Sequence, residues 1–164
     1  MVTRGPITAR VLTKELPAKR SRRAIHEHAQ TLAEIPLFAG LSSRHLRRLA
    51  RQMDEVSYRD GRVIVEAGRP GQAFFVLVAG GARVYPGKVA SGRPKARLGP
   101  GDFFGEMALL DGEPRSATVV ADGHTTALRL TRSAFLKMVK QEPTVSVTIM
   151  AGLAARLRRG AATE

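Results

Sequence analysis

Residues 104–120, FGEMALLDGEPRSATVV, are the most informative stretch of this 164-residue chain. Glu106 follows Gly105 at the start of a short apolar turn, and Arg115 comes nine residues after Glu106, just before a run of small and β-branched residues. Two interpretations are open. Either the two charged residues form a structural ion pair across the turn, or they hold one ligand between them.

The residue types favour a ligand. A helical turn over EMALL would present free backbone N–H groups and a positive dipole end at its start, and Gly105 has no Cβ to keep a ligand away from the backbone. Arg115 offers a planar fork of donors that suits phosphate oxygens, Ser116 adds a hydroxyl and Ala117 a backbone N–H. Because a carboxylate repels a simple anion, Glu106 indicates a ligand with a hydroxyl near its phosphate, such as a ribose phosphate.

The composition is that of an ordinary globular domain, with 43% hydrophobic and 25% charged residues. No run of apolar residues is long enough to span a membrane, and no apolar signal segment opens the chain. The absence of cysteine excludes disulfides, zinc–thiolate sites and thiol catalysis, and it fits a cytoplasmic protein.

The net charge of +13 is concentrated near the N-terminus. Residues 1–23 hold seven basic residues against one acidic residue, Glu15. This leader contains Pro6 and Pro17 and shows no sustained periodicity, so we expect it to be mostly disordered and to act as a solvated arm. The predicted domain covers residues 24–160, and residues 161–164 form a tail.

Helices are predicted at both ends of the domain. The first covers residues 24–34 and stops before Pro36; the second is capped by Ser42 and places Leu46, Leu49, Ala50 and Met53 on one face. Near the C-terminus we expect helices over residues 131–140 and 143–159, the latter burying a stripe of Ile149, Met150, Leu153 and Leu157.

Between these helices, glycines separate short apolar runs from RVIVEA at residues 62–67 to TTALRL at residues 125–130. Short strands with glycine turns indicate a compact antiparallel barrel or sandwich, and hence an α+β fold. LGPGDFFG, residues 98–105, has neither the Rossmann nor the Walker spacing, so we expect a turn between strands there.

Residues 104–109 (FGEMAL) followed by 114–119 (PRSATV) resemble the phosphate-binding cassette of cyclic nucleotide-binding domains. This family includes the catabolite activator protein, the protein kinase A regulatory subunits and cyclic-nucleotide-gated channels. The resemblance covers about residues 32–159. It implies an antiparallel β-roll, a jelly-roll-like barrel flanked by N-terminal helices and by C-terminal helices that act as a lid.

The resemblance also implies a role for each cassette residue. Glu106 would accept the ribose 2′-hydroxyl, and Arg115 would bind an exocyclic oxygen of the cyclic phosphate. Gly105, Met107, Ala108 and Ala117 would supply backbone contacts, Ser116 a hydroxyl, and Val84 and Leu98 would line the base pocket. The nine-residue spacing and Pro114 resemble the kinase regulatory version.

The ligand implied is cyclic AMP, on family frequency alone. Cyclic GMP stays open because, in the family, a hydroxyl residue after the cassette arginine can favour guanine. Base selection would come from the lid, through Leu153, Arg156 or Leu157, or from the roll. We expect no metal, no other cofactor and no catalytic activity, since the sequence shows neither a nucleophile–base pair nor a histidine–aspartate metal cluster.

The prediction is therefore a cyclic nucleotide-binding sensor module that signals to an unknown effector protein as a monomer or weak dimer. Only residues 160–164 follow the last predicted helix, so no DNA-reading module is expected. The alternative is a nucleic-acid or protein interaction module on a non-binding cyclic-nucleotide fold. Its nucleic-acid form would bind through the basic tails in a steeply salt-dependent manner.

Overall fold

The structure, a computed structural model, describes residues 21–88 and 90–161. The predicted leader and tail lie almost wholly outside these ranges. The first helix, α1 (Arg22–Ala33), begins two residues earlier than predicted, because the Ser21 hydroxyl accepts from the Ala24 N–H and caps it. A short 3-10 helix (Pro36–Phe38) follows, and then α2 (Ser43–Gln52), capped as predicted by Ser42.

Within the described residues, six antiparallel strands form one open sheet: β1 (Asp54–Tyr58), β2 (Val63–Val65), β3 (Ala73–Pro86), β4 (Ala96–Leu98), β5 (Phe103–Phe104) and β6 (Ala117–Thr131). The central path is β1-β6-β3-β4, with β2 paired to β6 and β5 paired to β3. This is the predicted β-roll, although the path is open rather than closed into a barrel. The turn at residues 99–102 lies between β4 and β5, as expected.

Strands β3 and β6 are each one long strand where the sequence predicts two short ones. In β3, the pairing with β6 continues past Gly80, with register shifts around Ala79. Gly80 has a φ of +74°, and a Cβ there would lie 2.3 Å from the His124 carbonyl oxygen, so the irregular pairing of β3 with β6 requires glycine. The sequence prediction also missed β1, whose DEVSY sequence carries little apolar signal.

The other helices of the described part of the chain are α3 (Glu106–Asp111), α4 (Arg132–Gln141) and α5 (Pro143–Ala161). Side chains alternate along β3, so Phe74 and Val76 join the core under the helices while Phe75 and Leu77 fill the interior of the roll. On α5, Ile149 is buried, but Met150 is 59% exposed.

The predicted apolar stripe on α5 is therefore partly wrong. Leu157, at the far end of the same helix, is 75% exposed. Met150 points about 100° away from Ile149 around the helix axis, and it faces solvent while Ile149 packs in the core.

Candidate functional site

The stretch quoted first, residues 104–120, lies where β5, α3 and the start of β6 meet. Gly105 joins β5 to α3 with a φ of +93°. A Cβ at this position would lie 2.7 Å from Arg115 Nη1 and 2.8 Å from the Ala73 carbonyl oxygen. Both the backbone conformation and the lack of space require glycine, and its backbone therefore lies directly against the guanidinium group.

Arg115 is buried, with 8% of its surface exposed, and its side chain is fixed by backbone carbonyls. Nη1 donates to the Gly105 carbonyl at 2.8 Å and Nη2 to the Ala73 carbonyl at 2.6 Å. These bonds use two of the five guanidinium N–H groups, leaving three donors in a fixed orientation. Burial lowers the pKa of Arg115 and the nearby Glu106 carboxylate raises it, but an arginine stays protonated at neutral pH.

Glu106, the first residue of α3, is fully buried. Its Oε1 accepts from Arg156 Nη1, whereas its Oε2 is buried and has no hydrogen-bond partner among the described residues. Burial raises the pKa of the Glu106 carboxyl, and the charge of Arg156 opposes that rise. An unpartnered buried carboxylate oxygen is costly, and a hydroxyl donor would satisfy it.

Arg156 reaches this carboxylate from α5. Its Nη2 donates to the Phe103 carbonyl at 2.7 Å, and its guanidinium carbon lies 5.4 Å from the centroid of the Phe103 ring. Gly152, one turn earlier, lies close enough that an added Cβ would stand 3.1 Å from that ring. The C-terminal helix is thus attached to the start of α3 by a hydrogen-bonded ion pair and a cation–π contact.

The remaining cassette positions differ in accessibility. Ala108 is buried, Ala117 at the start of β6 is half-buried, Ser116 is exposed and Met107 is 45% exposed. Val84 pairs with Val119 of β6, and Leu98 pairs with Ala82 of β3; both border the interior of the roll. Gly105 lies directly against Arg115, whereas Val84 and Leu98 lie two register positions apart on the paired strands β3 and β4.

A family model described as "Cyclic nucleotide-binding domain" matches residues 55–142, more than half of the chain. The chain belongs to this family. Among known proteins, it is 37% identical over 118 residues to a cAMP-dependent protein kinase regulatory subunit from Aspergillus fumigatus, covering 72% of this chain and 28% of that protein.

A cyclic nucleotide-gated potassium channel from Mesorhizobium japonicum is 38% identical over 135 residues, covering 82% of this chain and 36% of the channel. The solved structure of Thermus thermophilus catabolite activator protein is 35% identical, with a TM-score of 0.69, and the match covers 78% of this chain and 61% of that one. The chain spans between about a quarter and three fifths of the length of these relatives.

The structure of this cyclic nucleotide-binding domain shows contacts that the sequence analysis missed. The sequence predicts for Arg156 only a part in base selection, and it predicts no role for Phe103 or the Ala73 carbonyl. A signal for Arg156 existed: it is an arginine between two apolar positions, Leu153 and Leu157, on a helix predicted to cover the roll. The sequence gives no signal for the role of the Ala73 carbonyl, because every residue has a backbone carbonyl group.

Two further findings bear on the chemistry of the domain. Within residues 21–88 and 90–161, no group of three or more histidine, aspartate or glutamate side chains is placed to hold a metal ion. In the same part of the chain, every helix is too short or too polar to cross a membrane.

Proposed function

We propose that the chain is a regulatory sensor that binds a cyclic nucleotide, cyclic AMP first and cyclic GMP as the second candidate. The observation that carries this proposal is that two unsatisfied groups lie close together beside Gly105. The Arg115 fork has three uncommitted donors, and Glu106 Oε2 is a buried acceptor without a partner among the described residues. A cyclic phosphate with an adjacent ribose hydroxyl complements both.

In this proposal Arg115 binds an exocyclic phosphate oxygen, and Glu106 Oε2 accepts the ribose 2′-hydroxyl. The backbone of Gly105, Met107, Ala108 and Ala117 contacts the sugar phosphate, with the Ser116 hydroxyl beside it. Glu106 can accept the hydroxyl without releasing Arg156, since Oε1 and Oε2 serve different donors. Because the carboxylate is desolvated, its hydrogen bond to the ribose is stronger than the same bond in water.

The names of the relatives support the choice of ligand. One is a cAMP-dependent kinase subunit and another a cyclic nucleotide-gated channel. The exposed hydroxyl of Ser116, directly after Arg115, keeps cyclic GMP as the second candidate. Val84 and Leu98 are proposed to line the base pocket, and Arg156 brings α5 near enough to the cassette to contribute to base selection.

The proposed output is a change in the C-terminal helices. Arg156 on α5 forms an ion pair with Glu106, the carboxylate proposed to bind the ligand. A ligand that hydrogen-bonds to Glu106 therefore changes the strength of this ion pair, and with it the attachment of α5 to the roll. We propose that these helices signal to an effector protein, in a monomer or weak dimer in the cytoplasm. Catalysis is not part of the proposal, since the family model describes a binding domain.

Calorimetric titration of the full chain tests the proposal, with cyclic AMP, cyclic GMP and the non-cyclic nucleotide 5′-AMP. We expect one site that binds at least one cyclic nucleotide and discriminates against 5′-AMP, whose opened phosphate carries an additional ionisable oxygen. Absence of binding by either cyclic nucleotide, to a chain shown to be folded by its thermal unfolding, would contradict the proposal. It would favour the alternative of an interaction module with a non-binding cassette.

A further inference from the structure

Helix α2 carries a purely cationic face that the cyclic-nucleotide function does not use. Arg44, Arg47, Arg48 and Arg51 follow the i, i+3, i+4, i+7 pattern, so they lie on one side of the helix within about 100° of arc and about 10 Å of length. All four are exposed, and none of them forms an ion pair with another described residue. We call these four residues the arginine face.

Charge repulsion within the arginine face destabilises the isolated domain. The α2 sequence SRHLRRLARQ contains no acidic residue, so each arginine has like-charged neighbours three and four positions away. Arg44 also lies in the first turn, where the helix dipole disfavours a positive charge. The opposite face holds Leu46, Leu49 and Ala50 in the core, so that face accounts for the fold of α2. A partner that supplies negative charge would relieve the repulsion.

The neighbouring elements extend the positive surface. Arg48 lines a cleft between α2 and α4 together with Lys137, an exposed residue of α4. Glu142 lines the same cleft, but its carboxylate lies 3.7 Å from His45 Nδ1 and is mostly buried. Helix α1 packs against α2, and the sequence of residues 1–23 holds seven basic residues against one acidic residue.

Three classes of polyanion carry enough negative charge to bind this surface: an acidic protein, an anionic membrane and a nucleic acid. A protein partner needs apolar or aromatic anchors at the centre of the interface, and a stably adsorbed membrane surface needs apolar side chains to insert. The large hydrophobic side chains that are exposed among the described residues lie on β2, α3 and α5, and none lies on α2. Neutralising a phosphate backbone needs only the cations.

The spacing of the charges agrees with this choice. Four arginines over about 10 Å provide one positive charge for roughly 2.5 Å of helix, which lies between the roughly 1.7 Å per phosphate of a duplex with both strands counted and the roughly 3.4 Å of one strand. Helix α2 contains no Phe, Tyr or Trp on which unpaired bases could stack, and its one histidine, His45, lies beside the Glu142 carboxylate. We therefore propose that the arginine face binds the phosphate backbone of duplex nucleic acid, without reading its sequence.

Fluorescence anisotropy with a labelled 20-base-pair DNA duplex of arbitrary sequence tests this on the full chain, titrated at several salt concentrations. The variant carries Arg44→Gln, Arg47→Gln, Arg48→Gln and Arg51→Gln. If all four arginines contact phosphates, the slope of log affinity against log salt becomes shallower by about 3 to 4 in the variant. A second duplex of unrelated sequence should bind equally well.

The matched control removes the same charge from other surfaces, through Arg59→Gln, Arg62→Gln, Arg93→Gln and Arg132→Gln. These arginines are also exposed and have no ion-pair partner among the described residues. The control should retain most of the salt slope. Both variants are checked by thermal unfolding, where loss of the repulsion on α2 should leave the first variant at least as stable as the wild type.

Three results would overturn the proposal. One is that the duplex does not bind at low salt. Another is an equal loss of slope in both variants, which would assign binding to total charge rather than to the arginine face. The third is preferential binding to vesicles rich in anionic lipid or to an acidic polypeptide, with no competition by the duplex.

Discussion

At the scale of single residues, the site depends on a carboxylate that is buried at a cost. Glu106 has no exposed surface, and the structure gives it one cationic partner, Arg156, and one unpartnered oxygen among the described residues. Burial dominates, so the pKa of Glu106 is raised despite the nearby positive charge. The ionised form is therefore less favourable in the folded protein than in the unfolded chain, and a ligand hydroxyl would recover part of the loss.

This predicts how Glu106→Gln changes stability with pH. A raised pKa means that the folded protein binds the proton more tightly, so the stabilising contribution is present at low pH and is lost as pH rises through the raised pKa. The variant lacks this loss. We expect it to become progressively more stable than the wild type as pH rises from the ordinary glutamate value of about 4.3, by about 1.4 kcal/mol for each tenfold difference in proton affinity.

Urea unfolding over a pH series measures the effect, with Glu113→Gln as the control, because Glu113 is exposed. The same substitution should weaken cyclic nucleotide binding by roughly tenfold, since a charge-assisted hydrogen bond becomes a neutral one. If the free energies of unfolding of the wild type and Glu106→Gln differed by the same amount at every pH, burial would not penalise the ionised Glu106 carboxylate.

The residue scale also shows what the cassette sequence could predict. The ion pair between Glu106 and Arg115 that the sequence left open as an alternative is absent among the described contacts, since Arg115 donates to two carbonyls. Glycine, arginine and glutamate in this pattern predicted that Gly105, Glu106 and Arg115 lie close together, and the structure places them so. The partner of Glu106 lies 50 positions away along the chain, and nothing local to the cassette specifies it.

At the scale of elements, α5 is held to the roll by a mixture of apolar and polar contacts. Val145 and Ile149 are fully or almost fully buried, whereas Met150 and Leu157 face solvent. The second half of the helix therefore depends on Leu153, which is half-buried, and on Arg156. The sequence predicted the helix correctly from its composition, but a periodic pattern alone does not show which side of a helix faces the roll.

Hydrogen exchange of α5 tests its role as a lid. We expect saturation with cyclic AMP to change amide exchange in residues 143–159, because Arg156 connects α5 to Glu106. Without ligand, Arg156→Gln should increase exchange in the second half of the helix, because both the ion pair to Glu106 and the bond to the Phe103 carbonyl are lost.

Arg158→Gln provides the comparison, because Arg158 is an exposed residue of the same helix. It should exchange like the wild type. Identical exchange with and without nucleotide over residues 143–159 would show that α5 does not act as a ligand-dependent lid.

At the scale of the whole molecule, the fold brings Gly105, Glu106 and Arg115 together and leaves a separate charged surface on α2. The order of helices, strands and helices was predictable because apolar periodicity changes sharply near residues 58 and 131. The strand count was not, since Gly80 and Gly123 look like turns in the sequence but lie within the long strands β3 and β6. Their role depends on which strand lies opposite, which is a property of the tertiary fold.

The central claim, that the cassette binds a cyclic nucleotide through Arg115, is tested most directly by calorimetric titration of Arg115→Lys beside the wild type. Lysine keeps the charge but loses the planar fork, so affinity should fall by about ten- to a hundredfold, or about 1.5–3 kcal/mol. Arg93→Lys, an exposed position, should bind like the wild type. Because Arg115 also fixes two carbonyls, thermal unfolding must show that the variant is folded at the titration temperature. Unchanged affinity in folded Arg115→Lys would contradict the account.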